Sequence, residues 1–249
     1  MRAEELSASR GDPSYVWRAG QERRLELVRR YAPLEGRQVL DAGCGLGLYS
    51  LAFQRFAPRV FGVDIELERA RQARQRAVNA AVSPAERLPF ADDTFDIVFS
   101  HEVIEHVRDD RLAVGEMVRV ARPGGRVVIF CPNRWWPFET HGHFWRGRYH
   151  FGNTPLINYL PDILRDKLAP HVRAYTGRRL TALLGGLPVR ILVHRRIFPG
   201  FDKLALRSPL SARLARSLSY ALENTPLQVA GLSHLLVVEK TGPYSWPKG

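Results

Sequence analysis

Residues 39–50, VLDAGCGLGLYS, constrain this chain more than any other stretch. An apolar run stops at Asp41, glycines follow at the alternating positions Gly43, Gly45 and Gly47, and helix-forming residues then resume. A strand that turns this abruptly into a helix calls for positive φ, which glycine adopts without steric cost. Bare backbone also lets a ligand come close, and in an open parallel sheet ligands bind over the carboxyl ends of the strands.

The rest of the chain fits that architecture. Apolar strands are expected at Gln38–Leu40, at RVFGV ending before Asp64, at DIVFS (96–100), at RVVIF after the Pro123-Gly124-Gly125 turn, at VRILVHRRIF, and at SHLLVVEK near the end. Helical spacing is expected in YVWRAGQERRLELVRRY (15–31), LYSLAFQRFA, ELERARQARQRAVNA (66–80), 112–121 and TGRRLTALLGG. Strands of this composition alternating with helices predict an α/β, doubly wound fold with a mostly parallel sheet. The 249 residues are expected to form a single domain, with a lead-in helix within 1–36 and insertions at 132–174 and 199–232 that form a substrate cap.

Charge bounds the partners. Lys and Arg number 37 against 25 Asp and Glu, a formal net charge of +12 that raises nucleic acid or an anionic membrane as partners. The excess is mostly arginine, since lysine occurs only at 167, 203, 240 and 248, and nucleic acid is not expected. Apolar runs are short and broken by arginine, so no membrane-spanning segment is expected. The polar start, MRAEELSASRGDPSY, lacks the apolar centre of a secretory signal, and the expected compartment is the cytoplasm. Cys44 and Cys131 are expected as reduced thiols near strand ends.

The glycine spacing G-C-G-L-G differs from the dinucleotide fingerprint G-x-G-x-x-G, and Asp41 stands where a phosphate would be poorly received. Asp64, about twenty residues on, suits an acid accepting both hydroxyls of a ribose. A ligand with a ribose, a positive centre and no phosphate is S-adenosylmethionine. The competing reading is a glycine-rich turn with incidental acids.

In order, VLDAGCGLG, GVDIE, AERLPFADDTFDIVFSHEVIEHV and VRVARPGGRVVIFCPN resemble the motifs of the class I S-adenosylmethionine-dependent methyltransferases. They are most similar to the type 11 branch and the ubiquinone-biosynthesis O-methyltransferases. The resemblance covers 37–133 and, more weakly, TGRRLTALLGG and the final two strands. It implies a Rossmann-like, seven-stranded sheet with an antiparallel last strand and S-adenosylmethionine as cofactor. It further implies that Asp41 and the backbone of Gly43, Cys44, Gly45 and Gly47 hold the amino acid end of the cofactor. Asp64 takes the ribose, Ile65 packs on the adenine, Ala85 and Glu86 lie at its edge, and Ser100 and His101 offer main-chain oxygens near the amino group. The family often has an acid two residues before Glu86, where this chain has Pro84. Trp17 and Arg18 are candidates to close over the carboxylate, with a surface cap as the alternative.

Methyl transfer is an in-line displacement, governed by positioning and exclusion of water. A hydroxyl acceptor must also lose a proton, and a histidine suits that task. The candidates are His101, His106 and His141. By the resemblance, Glu102, Glu105 and His106 match a stretch that can bind a divalent ion; on a helix the three share a face. A divalent metal is not expected, the stretch serving equally as a helix start. In WWPFETHGHFWRGRYHF the aromatics wall an apolar acceptor site or fill a satellite core, with Glu139, His141 and His143 as polar groups. A zinc site of His141, His143 and His150 lacks a fourth ligand.

The expected function is methyl transfer to a small molecule, most favourably at oxygen. Rivals are an RNA or protein methyltransferase, for which no Asn/Asp-Pro-Pro-Tyr motif is present, a non-catalytic S-adenosylmethionine-binding module, and a nicotinamide oxidoreductase, which the glycine spacing disfavours. FDKLALRSPLSARLARSLSYALE is basic and amphipathic. Such a segment either packs on its own domain or rests peripherally on anionic membrane.

Overall fold

The structure, a computed structural model, describes residues 16–76 and 78–244. The first described helix is α1 (Ala19–Tyr31), shorter than the 15–31 pattern because Arg18 is its N-cap; the residues before 16 lie outside the described residues. Strand β1 (Gln38–Ala42) leads through the glycine turn to α2 (Leu48–Gln54), then β2 (Arg59–Asp64), α3 (Leu67–Gln75) and β3 (Asn79–Val82). Next come β4 (Phe95–His101), α4 (Asp110–Val120) and β5 (Ala121–Pro132).

Seven strands form one sheet in the order β10-β11-β5-β4-β1-β2-β3, where β10 is Val189–Ile197 and β11 is Ser233–Lys240. Strands β1 to β5 pair in parallel, and β11 runs antiparallel to both β5 and β10. The expected antiparallel last strand is therefore present. Strand order reverses between β1 and β4, the switch point at which an open sheet receives its ligand.

Period-2 alternation divides the core between the two faces. Leu40, Val98, Val127, Ile129, Leu236 and Val238 pack with Val114, Met117 and Val118 of α4 on one face. Val39, Ile97, Phe99, Val128, Phe130, Leu235 and Val237 pack with Leu25 and Val28 of α1 and with Ala52 and Phe53 of α2 on the other. Helices thus cover both faces, and the doubly wound expectation holds.

Two local expectations are corrected. The helix expected over 66–80 ends at Gln75, and Asn79–Val82 is an edge strand. Its alanines have helical propensity, but Val78 and Ala80 bury against Ala70 and Ala73, and residues 79–82 pair with 61–64. The helical placement of HEVIEH is also overturned. Strand β4 extends to His101, which pairs with Phe130, and Glu102 donates its amide to the Phe130 carbonyl. Glu102 then turns with φ 54°, and no helix starts until Asp109 caps α4 by accepting from the Leu112 amide.

The first insertion is a compact unit. It contains β6 (Phe138–Glu139) paired with β9 (Thr154–Pro155), the hairpin of β7 (His143–Trp145) and β8 (Arg148–His150), a 3-10 turn at Ile157–Tyr159, and α5 (Asp162–Leu168). Helix α6 (Gly177–Ala182) then leads toward β10. The second insertion forms α7 (Asp202–Arg207), α8 (Pro209–Leu222) and a 3-10 turn at Pro226–Ala230. It lies against α1: Asp202 accepts from the Gly20 amide, and Arg23 pairs with Glu223 and covers the Tyr220 ring.

Candidate functional site

Where β1 ends, the amides of Gly43 and Cys44 both donate to the Val63 carbonyl at 2.8 Å, bending the chain over the end of β2. Gly43, Gly45 and Gly47 have φ of 87°, 52° and 79°. At Gly43 a Cβ would also lie 2.2 Å from Cγ2 of Val103, so both conformation and space exclude a side chain there.

Asp64 braces this turn. Its Oδ2 accepts from the Gly45 amide and its Oδ1 from the Glu66 amide, each at 2.9 Å. Asp41 accepts from the Ser50 hydroxyl at 2.6 Å. Both carboxyls are buried and face one cavity of about 1030 Å³. Burial pushes both up from the ordinary carboxylate range, Asp41 to about 7, where the Ser50 bond opposes the rise and the Asp64 charge adds to it.

Most of the expected cofactor residues share that cavity. Asp41, Gly43, Cys44, Gly45, Asp64, Ile65, Ala85 and Glu86 line it. Gly47 does not: a Cβ there would press on Ala73 and Val78, so its role is to let α3 pack under the turn. Ser100 is fully buried in β4, with its hydroxyl unpartnered and outside the lining. Glu86 accepts from the Arg108 amide at 2.8 Å, tying the segment before β4 to the turn after it. Neither Trp17 nor Arg18 is among the lining residues, whereas Gln21 is. Trp17 donates to Glu22 at 2.6 Å and stands 5.2 Å from the Tyr49 ring.

The far end of the cavity is polar and buried. His141, on the loop after β6, directs Nδ1 to Oε1 of Glu139 at 3.3 Å. Glu139 is in turn held by Nη2 of Arg165 from α5 at 2.9 Å. Burial raises the Glu139 carboxyl, but the His141 hydrogen bond and charge and the Arg165 guanidinium outweigh it and hold it down at about 2. The carboxylate orients the ring by taking a hydrogen bond from Nδ1 and leaves Nε2 turned away from Glu139. That Nε2 stands 3.9 Å from Oε2 of Glu102 and 4.0 Å from Oε1 of Glu105. Burial, then the adjacent Glu102 charge, pushes the Glu105 carboxyl well up.

The other two histidines sit differently. His101 lies among the rings of Tyr49, Phe99 and Phe130, its Nε2 unpartnered, and burial followed by Arg24 holds it down at about 3. His106 stands 5.3 Å from the His141 ring, with Nδ1 3.3 Å from the His171 carbonyl, and burial followed by His141 lowers it to about 3. The turn at 102–106 changes the candidate ligand set. Ligand atoms of Glu105, His106 and His141 lie within 4.8 Å of one another, and Glu102 is not part of this group. His143 and His150 instead face each other across the β7–β8 hairpin at 5.3 Å, so the zinc set of His141, His143 and His150 is not formed.

Of the two insertions, only the first reaches the cavity among the described residues, through Thr140, His141, Tyr149 and Phe151. Sequence reasoning missed Tyr49, whose hydroxyl is buried and unpartnered at the cavity wall, and Val103, which wedges against Gly43. Tyr49 follows the last glycine by two residues, a signal that was available. Arg165 carried none, since nothing in a charged helix marks the one arginine that turns inward.

Residues 40–129 match the family described as methyltransferase domain. A ubiquinone biosynthesis O-methyltransferase of Rhizobium etli is 40% identical over 108 residues, 41% of this chain and 44% of that protein. A demethylmenaquinone methyltransferase of Streptomyces avermitilis is 35% identical over 127 residues, 49% of this chain and 55% of that protein. The match thus spans about half the length of these relatives. An S-adenosylmethionine dependent methyltransferase from Mesorhizobium loti superposes with a TM-score of 0.59 at 18% identity, covering 86% of this chain and 96% of that one. The [4+2]-cyclase SpnF gives 0.59 at 18% identity, covering 94% and 85%.

Proposed function

We propose that this chain, whose residues 40–129 carry the methyltransferase domain, transfers a methyl group from S-adenosylmethionine to an oxygen of a small molecule. One observation carries the reading: a single cavity joins the glycine turn and its two buried acids to a histidine backed by a carboxylate. The fold alone does not decide the chemistry, since the cyclase shares it.

The residues present fit the cofactor. Asp41 is buried and raised, and its hydrogen bonds come from neutral Ser50 groups, so a cationic amino group gives it a charged partner. Asp64 uses one acceptor site on each oxygen for the turn and retains others for ribose hydroxyls. Ile65 and Ala85 supply apolar contact beside it. When bound, S-adenosylmethionine supplies an electrophilic methyl group on a sulfonium sulfur. The chain's own part is to align the acceptor, exclude water and receive a proton at Nε2 of His141, with Glu139 stabilising the imidazolium that forms.

Calorimetry tests the cofactor. S-adenosylmethionine or S-adenosylhomocysteine is expected to bind, and NAD to give no heat. Replacing Asp64 with alanine is expected to weaken cofactor binding about 10–150-fold, or about 1.5–3 kcal/mol, the scale of hydrogen bonds to a charged group. Unchanged affinity in that variant removes Asp64 from the ribose, and heat with NAD alone ends the proposal.

Asp41 adds a pH dependence. Ionised Asp41 favours a cationic ligand, so affinity strengthens as pH rises through about 7 and weakens below it. The Asp41→Asn variant is expected to bind more weakly and to lose this profile. A slope that survives the substitution assigns the titration to another group.

A further inference from the structure

Helix α8 is turned inside out. Residues four apart share a helix face, and a helix at a water boundary carries its apolar stripe inward. Here Ala212 is buried, and Arg216 reaches back to the Gly200 carbonyl at 2.6 Å and to Asp202 at 3.5 Å. Leu210, Leu214 and Leu218 face outward at 79%, 60% and 62% exposure, and Leu206 of α7 is 85% exposed. The cations beside this stripe are not engaged: Lys203, Arg207 and Arg213 are exposed and have no ion pair or hydrogen bond among the described residues. Residues 203–222 contain no acid.

We propose that the α7–α8 face is a docking surface for a bilayer of anionic lipid. Leucines in a row enter the boundary between headgroups and acyl chains, and flanking lysine and arginine side chains meet lipid phosphates. No described helix is long and apolar enough to cross a membrane, so the contact is peripheral. Charge selects lipid over a second copy of the chain. A two-fold pairing through this face brings together two surfaces that each carry Lys203, Arg207 and Arg213, with no acid in 203–222 to offset them.

Sedimentation of the full chain with vesicles is the test. Vesicles of phosphatidylcholine containing phosphatidylglycerol are expected to bind it at least about tenfold more tightly than pure phosphatidylcholine, with salt weakening the difference. The double variant Leu214→Glu, Leu218→Glu changes two exposed side chains and is expected to lose about tenfold or more of that binding. Its melting temperature and its affinity for S-adenosylhomocysteine are expected to match the wild type, which separates lost docking from lost folding. Failure of the wild type to sediment with anionic vesicles, or equal sedimentation of the variant, overturns the proposal. So does self-association that the variant abolishes while vesicle binding is absent, which assigns the face to a second copy.

Discussion

Replacing His141 with alanine is expected to lower kcat about 10²–10⁴-fold, the range of a positioned general base, with cofactor affinity unchanged. The acceptor is taken from a panel of phenols and catechols turned over by the wild type. The ring's Nδ1 faces Glu139, and its Nε2 lies 3.9 and 4.0 Å from Glu102 and Glu105, too far for a hydrogen bond to either, so a hydroxyl arriving from the cavity can take that place. An unchanged kcat means that the acceptor ionises without this residue. A chelator tells proton transfer from metal chemistry, because Glu105, His106 and His141 also form a candidate ion site. Activity that persists in EDTA supports His141 as the proton acceptor. Activity lost there and restored by a divalent ion makes it a ligand instead.

Arg165→Ala is expected to destabilise the fold by about 3–5 kcal/mol, because it leaves the Glu139 carboxylate buried without its cation. Both side chains are almost wholly buried, and Arg165 also donates to Asn158 and to the Val172 carbonyl. Arg165→Met combined with Glu139→Gln is expected to recover much of the loss, since it removes the charges together. The pH dependence has a definite sign. Glu139 has a depressed carboxyl in the folded state, about 2, against about 4.3 when unfolded. Its contribution is complete above about 4.3 and is lost as pH falls toward about 2, so wild type and Arg165→Ala converge in that window. Urea unfolding at neutral pH and near pH 3 measures both effects. A variant as stable as the wild type at neutral pH assigns the pair no structural weight.

The parts of the fold written in local pattern were readable from the chain. β1, β4 and β11 carry runs of apolar residues, mostly buried, and their boundaries differ from expectation by at most two residues, while β5 begins at Ala121, five residues before the expected RVVIF, and runs through the expected Pro123-Gly124-Gly125 turn. β3 was not readable, because NAAV has helical propensity and becomes a strand only by pairing with β2. The HEVIEH turn was misread for a related reason. Its spacing suits a helix, while the pairing of His101 with Phe130 carries the strand past that point.

The grouping of residues at the glycine-turn end of the cavity was legible because it is local in sequence. Asp41, the glycines and Asp64 lie within a short stretch, and the Gly45–Asp64 bond closes it. The acceptor end was legible only in part. His141 and Glu139 stood out in an aromatic-rich segment, but their partner Arg165 lies 26 residues beyond Glu139, where no spacing rule reaches. The relation of Glu105 to His141 spans two separate elements and exists only once the insertion is folded over the sheet.

The Glu139–His141–Arg165 chain has both ends and its middle in one insertion, while Asp41 and Asp64 hang from the sheet. If the proposed roles hold, descent can exchange the proton-handling cassette, and with it the compound being modified, while the part that recognises the nucleoside is inherited untouched.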